Sequence, residues 1–390
     1  VTAVLVVGSG FAGLWAALGA ARRLDELAVR TVDLTVLSAT PFHDIRVRNH
    51  EADLSPCRIS LAELLDPVGV AHAVAEVTAI DAGARTVTTS AGVTYGYDRL
   101  VLASGSRVLK PAVPGLREFG FDVDTYDGAV ALQRLAEDPP TPAAATVVVV
   151  GAGLTGTETA CELPNRLRAL FSGRPRVILV DRNPLVGSDM RASARPVIEK
   201  ALSDNGIETR TGVHVAAVSR SGVSLSSGEE LDAATVVWCA GTRASTLTEQ
   251  LDVDRDRAGR VFVDDYLRVL GVESVFAAGD VAAARMDDEH LSVMSCQHGR
   301  PMGRYAGYNV ISDLCGEPLL PLRIPWYVIV LDLGPTGAVY TEGWDRVVVS
   351  TGAAAKATKQ TINSRRIYPP LTGVRADLLA AAAPQLQARP

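Results

Sequence analysis

The feature that most restricts the fold is a unit that occurs twice. Val4 to Val7 is an unbroken Val/Leu run that stops at Gly8, and the turn Gly8-Ser9-Gly10-Phe11-Ala12-Gly13 leads into an Ala/Leu-rich helical segment from Leu14 to Leu27. Val147 to Val150 repeats the pattern, stopping at Gly151-Ala152-Gly153-Leu154-Thr155-Gly156 and entering a helix that runs to about Leu170. Uninterrupted β-branched runs of strand length belong to strands buried on both faces of a parallel sheet. In such a turn the first glycine permits the tight bend, the second lets the backbone approach a pyrophosphate, and the third allows the helix to pack closely on the strand. The phosphates then meet free N–H groups at the helix start.

The repeat continues in register. The β-rich runs Thr31 to Leu37 and Arg176 to Val180 end at Ser38 and Asp181, each thirty residues beyond the first glycine of its turn. Gly69 to Gly105 and Gly206 to Gly241 each hold short alternating strands with turn signals, then a buried strand that stops at a glycine. The expected fold is therefore α/β, with two Rossmann-like dinucleotide-binding domains, the second inserted in the first, each carrying a β-meander, and a small α+β C-terminal segment. The expected boundaries are 1–115 with 262–323 for the first domain, 116–261 for the second, and 324–390 for the closing segment. The spacer Arg134 to Thr146, with Asp138-Pro139-Pro140-Thr141-Pro142 and an Ala run, reads as a rigid, solvated connection ahead of the second unit.

At 390 residues the chain exceeds what one core usually supports. A net charge of -6 and a pI near 5.6 leave no electrostatic footprint for nucleic acid, so small molecules or proteins are the expected partners. The five cysteines contain no CxxC pair, which argues against a disulfide framework and a redox dithiol and suits a reducing cytoplasm. No apolar run approaches the roughly 18–20 residues of a membrane span, so no transmembrane segment is expected. No charged n-region precedes the first strand, which reads as the absence of a signal peptide. Val1 ahead of an Ala/Arg-rich sequence fits a bacterial GTG start in a GC-rich gene.

Three more segments make the pattern specific. Tyr97-Asp98-Arg99-Leu100-Val101-Leu102-Ala103-Ser104-Gly105-Ser106 resembles the Tyr-Asp-x-Leu-Val-hydrophobic-Ala-Thr-Gly-Ser segment of flavoproteins with two dinucleotide domains, with Ser104 in place of Thr. Val275-Phe276-Ala277-Ala278-Gly279-Asp280 resembles their second flavin motif, and Val237-Trp238-Cys239-Ala240-Gly241-Thr242-Arg243 is similar to the segment that leaves the NAD domain. The whole chain resembles the pyridine nucleotide-disulfide oxidoreductase superfamily, and within it the type II NADH dehydrogenase branch. Gly153-Leu154-Thr155-Gly156-Thr157-Glu158 is similar to that branch's Gly-Pro-Thr-Gly-Val-Glu segment, and Pro325-Trp326-Tyr327 through Leu333 to Val339 resembles its flavin-covering hairpin.

The resemblance implies FAD and NADH, or NADPH, as cofactors. The cofactor-binding set it implies is Gly8, Gly10, Phe11, Ala12, Gly13, Ser38, Ala103, Ser104, Gly105, Gly279, Asp280, Gln297, Gly151, Gly153, Gly156, Glu158, Asp181 and Gly241, with no metal. Asp280 would meet the ribityl chain, the alternative being a simple helix N-cap. Asp181 would hold the ribose diol of NADH and repel the 2′-phosphate of NADPH, against a solvated loop acid and with Arg182 beside it. Glu158 would border the nicotinamide or merely complement a helix dipole. Gln297 and His298, at Cys296-Gln297-His298, would lie at the pyrimidine side of the flavin and join Glu158 as catalytic candidates, with a structural histidine as the alternative. His43 and Asp44, after the second strand of the first unit, read as a turn pair, the alternative being that they face the flavin. Cys57 is a candidate reactive thiol only if its pKa is lowered, whereas Cys161 and Cys239 read as core packing within a helix and a buried strand.

Three departures from the family shape the functional expectation. The acid usual on the adenosine ribose of FAD is Ser38 here, and Gly299-Arg300-Pro301-Met302 stands where quinone-using members place a second Gln. Leu371 to Pro390 holds only two Arg, which does not resemble the family's basic amphipathic anchor. Three readings stay open: an NADH-dependent flavin oxidoreductase passing electrons to a quinone or similar small acceptor, a flavoenzyme acting on an organic substrate, and a reductase of a protein carrier such as ferredoxin or rubredoxin. For the last, Lys356, Lys359 and Arg365-Arg366 are a docking candidate or else an exposed C-terminal helix. Cytoplasmic placement with weak membrane association is expected, and a homodimer is implied by the resemblance alone.

Overall fold

The computed structural model describes residues 2–134, 145–170 and 175–390, so the Pro-rich part of the spacer lies outside the described residues. Each repeated unit builds a five-stranded, wholly parallel sheet. In the first the order is Val275–Ala277, Arg99–Leu102, Thr2–Val7, Val32–Ser38, Ala71–Val74. In the second it is Gly120–Phe121, Thr235–Trp238, Thr146–Val150, Arg176–Asp181, Ile207–Thr211. Strand order reverses beside the central strand in both, so the crevice beyond Gly8 and the crevice beyond Gly151 are the topological switch points at which such sheets bind ligands. Three-stranded antiparallel meanders, Val77–Asp81 to Thr94–Gly96 and Val215–Ser219 to Glu230–Asp232, cover each unit.

The chain crosses between units twice, and the crossings pair with each other as an antiparallel ribbon, Ser106–Val108 against Thr242–Ala244. Ala244, Leu247, Leu251 and Val261 already pack in the first unit's core. The structure thus moves the return to the first unit from residue 262 to about 244, because the apolar side chains after the ribbon face that core.

The C-terminal segment opens with an antiparallel sheet, Val328–Asp332, Ala338–Glu342 and Val347–Thr351, in which the expected hairpin gains a third strand. Helix Gly352–Thr361, a π-turn at Ile362–Arg366 and helix Arg375–Ala381 follow. Helix 352–361 is not the free, exposed helix expected from its lysines, since Lys356 and Lys359 are tied inward by ion pairs. His43 and Asp44 lie on a short strand, Phe42–Asp44, rather than in a turn. Cys239 sits just past the strand Thr235–Trp238 and is only half-buried. No helix among the described residues is long and apolar enough to cross a membrane.

What positions the first crevice is the contact between helix Phe11–Glu26 and helix Cys296–Cys315. Gly299, Gly303 and Gly307 recur at i, i+4 and so form one face. A Cβ on Gly303 would fall 2.3 Å from the carbonyl oxygen of Ala12, and one on Gly307 would fall 2.1 Å from that of Ala16. The helices therefore touch backbone to backbone, which fixes Ala12 against the closing helix. Overpacking of this kind costs about 1–3 kcal/mol or more. G303A should lower the midpoint of thermal unfolding by several degrees in calorimetry, while G96A, whose added methyl would meet nothing within 4 Å, should leave it unchanged.

Candidate functional site

The two glycine turns have the same steric logic. Gly8 adopts φ +108 and a Cβ there would lie 2.3 Å from the Ala103 carbonyl oxygen, while a Cβ on Gly13 would lie 1.9 Å from the Gly8 carbonyl oxygen. A Cβ on Gly10 would meet nothing within 4 Å. Gly151 adopts φ +105 with Ala240 3.0 Å from a would-be Cβ, and a Cβ on Gly156 would lie 1.8 Å from the Gly151 carbonyl oxygen, whereas at Gly153 the nearest atom is an Asp189 carboxylate oxygen at 3.5 Å. Protein packing accounts for the outer glycines of each turn but not for the middle one. The open face at Gly10 and Gly153 is what a closely approaching pyrophosphate requires. Phe11, Ala12 and Gly13 form the first turn of their helix, where backbone N–H groups have no intrahelical acceptor.

Around the first turn the strand ends bring the other candidates together. Ala103-Ser104-Gly105 follows the strand Arg99–Leu102, and Gly279-Asp280 follows Val275–Ala277, its neighbour in the sheet. Gly279 adopts φ +76, and a Cβ on it would lie 2.7 Å from that of Ala12. The Ser106 hydroxyl donates to Asp280 Oδ2 at 2.6 Å, and Arg46 donates to the Ser106 carbonyl at 2.8 Å and pairs with Asp124. Asp280 is not an N-cap, because Ala278 holds that position in the short 3₁₀ turn and no side chain caps it. Burial raises the Asp280 carboxyl above its ordinary value, with the Ser106 bond and the Arg46 charge opposing. Buried, partnerless polar atoms gather here: the Ser104 hydroxyl, Gln297 Nε2 and His43 Nε2. Buried polar atoms are rarely left unpaired, so these fit a polar ligand that spans the strand ends and the start of helix 296–315.

His298 and His43 are both buried and held neutral near pH 7, since burial pushes each down to about 4. His298 Nδ1 accepts from the Val293 N–H at 2.8 Å, which leaves the proton of the neutral ring on Nε2, a further buried atom without a partner. His43 Nδ1 meets the Ser9 carbonyl oxygen at 2.8 Å.

The two units differ at the end of the second strand. Asp181 accepts from the Ala152 N–H of its glycine turn at 2.5 Å and from the Asn183 N–H at 2.7 Å. Ser38 instead shares a 2.7 Å hydrogen bond with Ser9, the counterpart of Ala152, and accepts from the Thr40 N–H. The first unit thus presents a neutral, buried hydroxyl pair where the second presents a carboxylate. Gly241 follows the strand Thr235–Trp238 and lies beside the second turn, where Ala240 packs on Gly151.

Glu158, on helix Leu154–Leu170, is buried against the C-terminal segment. Its Oε1 accepts from Lys359 Nζ at 2.7 Å and from the Asp332 N–H at 3.0 Å, and Lys356 Nζ donates to Asp332 at 2.5 and 2.7 Å. Burial would raise the Glu158 carboxyl, but Lys359, His50 and these hydrogen bonds outweigh it and hold the group below its ordinary value. The Lys359 ammonium is likewise held above its ordinary value by Glu158 against its burial. Sequence reading treated Lys356 and Lys359 as a surface patch and gave no role to Arg46, Asp124 or Asp332, because each acts through a partner distant in the chain.

Burial pushes the Cys57 thiol up to about 11 and those of Cys161 and Cys239 up to about 12, which leaves them protonated and unreactive. Among the described residues no group of His, Cys, Asp and Glu is arranged to hold a metal ion.

A family model described as pyridine nucleotide-disulphide oxidoreductase matches residues 2–303. The chain is 75% identical, over the full length of both, to an NADH dehydrogenase-like protein of Mycobacterium tuberculosis. It is 27% identical to a type II NADH:quinone oxidoreductase of Staphylococcus haemolyticus, covering 94% of this chain and 95% of the other. The solved structure of NDH2 from Plasmodium falciparum in complex with NADH superposes with a TM-score of 0.78 at 13% identity, covering 97% of each chain. Two parallel dinucleotide-type sheets, their paired glycine turns and these relationships lead to one conclusion: the chain belongs to the pyridine nucleotide-disulphide oxidoreductase family and is an NAD(P)H oxidoreductase.

Proposed function

We propose that the protein takes hydride from NADH onto FAD and passes two electrons to a quinone or a comparable small acceptor. The observation that carries this reading is the pair of turns whose middle glycines are not confined by backbone, one beside the partnerless Ser104 and Gln297 side chains and the other beside Asp181. When bound, the flavin supplies the two-electron chemistry.

The chain's residues then bind, orient and exclude water. The open turn at Gly10 and the free N–H groups of Phe11, Ala12 and Gly13 receive the FAD pyrophosphate. Asp280, oriented by Ser106, takes the ribityl hydroxyls. Gln297 Nε2 and the N-terminus of helix 296–315 face the pyrimidine edge and favour negative charge there. Asp181 receives the ribose diol of NADH, and its charge disfavours a 2′-phosphate. Glu158, held by Lys359 and by the Asp332 N–H, would border the nicotinamide end, with the sheet 328–351 packed beside it. The second half-reaction returns the electrons to the acceptor, consuming one proton from solvent beyond the one that accompanies the hydride, so that NADH, H⁺ and quinone give NAD⁺ and quinol.

The reading is tested by adding NADH or NADPH anaerobically to the purified protein and following the flavin spectrum, then adding a quinone. Rapid bleaching by NADH followed by reoxidation is expected. A flavin that neither nucleotide reduces would overturn it. Asp181→Asn should raise the KM for NADH roughly tenfold, from loss of about 1.5 kcal/mol of charge-assisted hydrogen bonding, and should narrow the preference for NADH over NADPH in steady-state assays. Lys359→Met leaves Glu158 as a buried, unpaired charge and should cost about 3–5 kcal/mol of stability in denaturant titration. Adding Glu158→Gln to that variant should recover most of the loss.

A further inference from the structure

Away from the two nucleotide crevices, a cavity of about 470 Å³ lies between Trp15, the helix 296–315 and the C-terminal tail. Four guanidinium groups line it, those of Arg300, Arg304, Arg365 and Arg366, and no Asp or Glu does. Arg300 and Arg304 are only 6% and 5% exposed, yet among the described residues none of the four arginines makes an ion pair. The Nε atoms of Arg300 and Arg304 and the indole N–H of Trp15 are buried with no hydrogen-bond partner. Both guanidiniums sit over the Trp15 ring, 5.4 and 4.1 Å from its centre.

What these arginines do touch is neutral. Arg300 donates to the Gln387 side-chain oxygen at 3.1 Å, Arg304 reaches the Gln385 carbonyl at 3.5 Å, and Arg366 meets the carbonyls of Ala388 and Arg389. These contacts hold the tail across the cavity but cancel no charge. Burial, together with the neighbouring guanidiniums, pushes Arg300 and Arg304 down to about 10, a sign that each cation lacks a counter-charge. A buried guanidinium without an anion is costly. Two such groups, with the exposed Arg365 and the half-buried Arg366 beside them, are the more notable in a chain of net charge -6.

We propose that this cavity binds a phosphate-bearing anion, gripped by Arg300, Arg304 and Arg365 with the Trp15 N–H as a further donor. Guanidinium forks match phosphate oxygens two at a time, and every buried free group in the cavity is a donor, which calls for a ligand made of acceptors. The π-turn at 362–366 sets Arg365 and Arg366 at the cavity mouth, and such turns recur at functional sites. Leu371 and Val374, 60% and 49% exposed, follow directly after the Pro369-Pro370 wall. The phosphate therefore belongs either to a soluble compound or to an anionic lipid headgroup, beside which these apolar side chains would lie.

The test is calorimetric titration of the full chain with inorganic pyrophosphate at constant ionic strength, alongside Arg304→Gln and Arg365→Gln. The second variant changes an exposed side chain and so keeps the test usable should the first fold poorly. Saturable binding that weakens at least tenfold in the variants, with a pyrophosphate-dependent rise in the thermal midpoint only in the unaltered protein, is the expected result. Flotation with phosphatidylcholine vesicles, with and without phosphatidylglycerol, separates the sources. Capture by the anionic vesicles that pyrophosphate competes away identifies a lipid headgroup, and capture by neither vesicle identifies a soluble phosphate. Absence of saturable pyrophosphate binding, or binding unchanged in both variants, would overturn the proposal and leave the arginines as a clamp on the tail.

Discussion

Backbone lying against backbone is the contact on which this structure depends. At Gly13 the helix leans on the Gly8 carbonyl, at Gly303 and Gly307 a second helix leans on the first, and at Gly279 the returning strand meets Ala12. Each approach excludes a Cβ, and the one at Gly13 holds the free N–H groups of Phe11, Ala12 and Gly13 at the mouth of the crevice. Close packing of main chain and binding of an anionic dinucleotide are thus one geometric requirement. The same economy holds in the second unit, where Gly156 leans on Gly151. The high glycine content of the chain, 34 residues, follows in part from having to satisfy that requirement twice.

The repeat also shows where two copies of one unit diverge in chemistry. Asp181 and Ser38 occupy the same place relative to their turns, yet one keeps a carboxylate at the surface of its crevice and the other folds its hydroxyl into a pair with Ser9. A carboxylate discriminates by charge among incoming nucleotides that must bind and leave. A buried hydroxyl pair carries no charge with which to discriminate.

Much of this was legible in the residues themselves. The strands at 4–7 and 147–150, both turns and the meanders follow from local periodicity and from glycines whose spacing has a mechanical meaning, while the expectation for Asp280 comes from the resemblance of Val275 to Asp280 to a flavin motif. What the sequence did not disclose depends on partners far apart in the chain. Lys359 looks like a surface lysine until Glu158, some two hundred residues earlier, is found 2.7 Å from it. The ring state of His298 is set by the Val293 N–H, which occupies its Nδ1 and leaves the proton on Nε2. The return at 244 rather than 262 was hidden because apolar residues reveal that they are buried but not in which core.

The two crossings between units are hydrogen-bonded to each other at 106–108 and 242–244, and a paired ribbon of this kind is by itself a swivel with one axis. The C-terminal sheet and helix 352–361 reach the second unit by a separate route, through Glu158 and Asp332. A swivel fastened at a second, distant point becomes a brace. The brace is apolar as well as ionic, since Tyr327, Ile329, Leu331, Leu333 and Val339 pack into the second unit's core, and the spacing of the two crevices is thereby built into the tertiary structure.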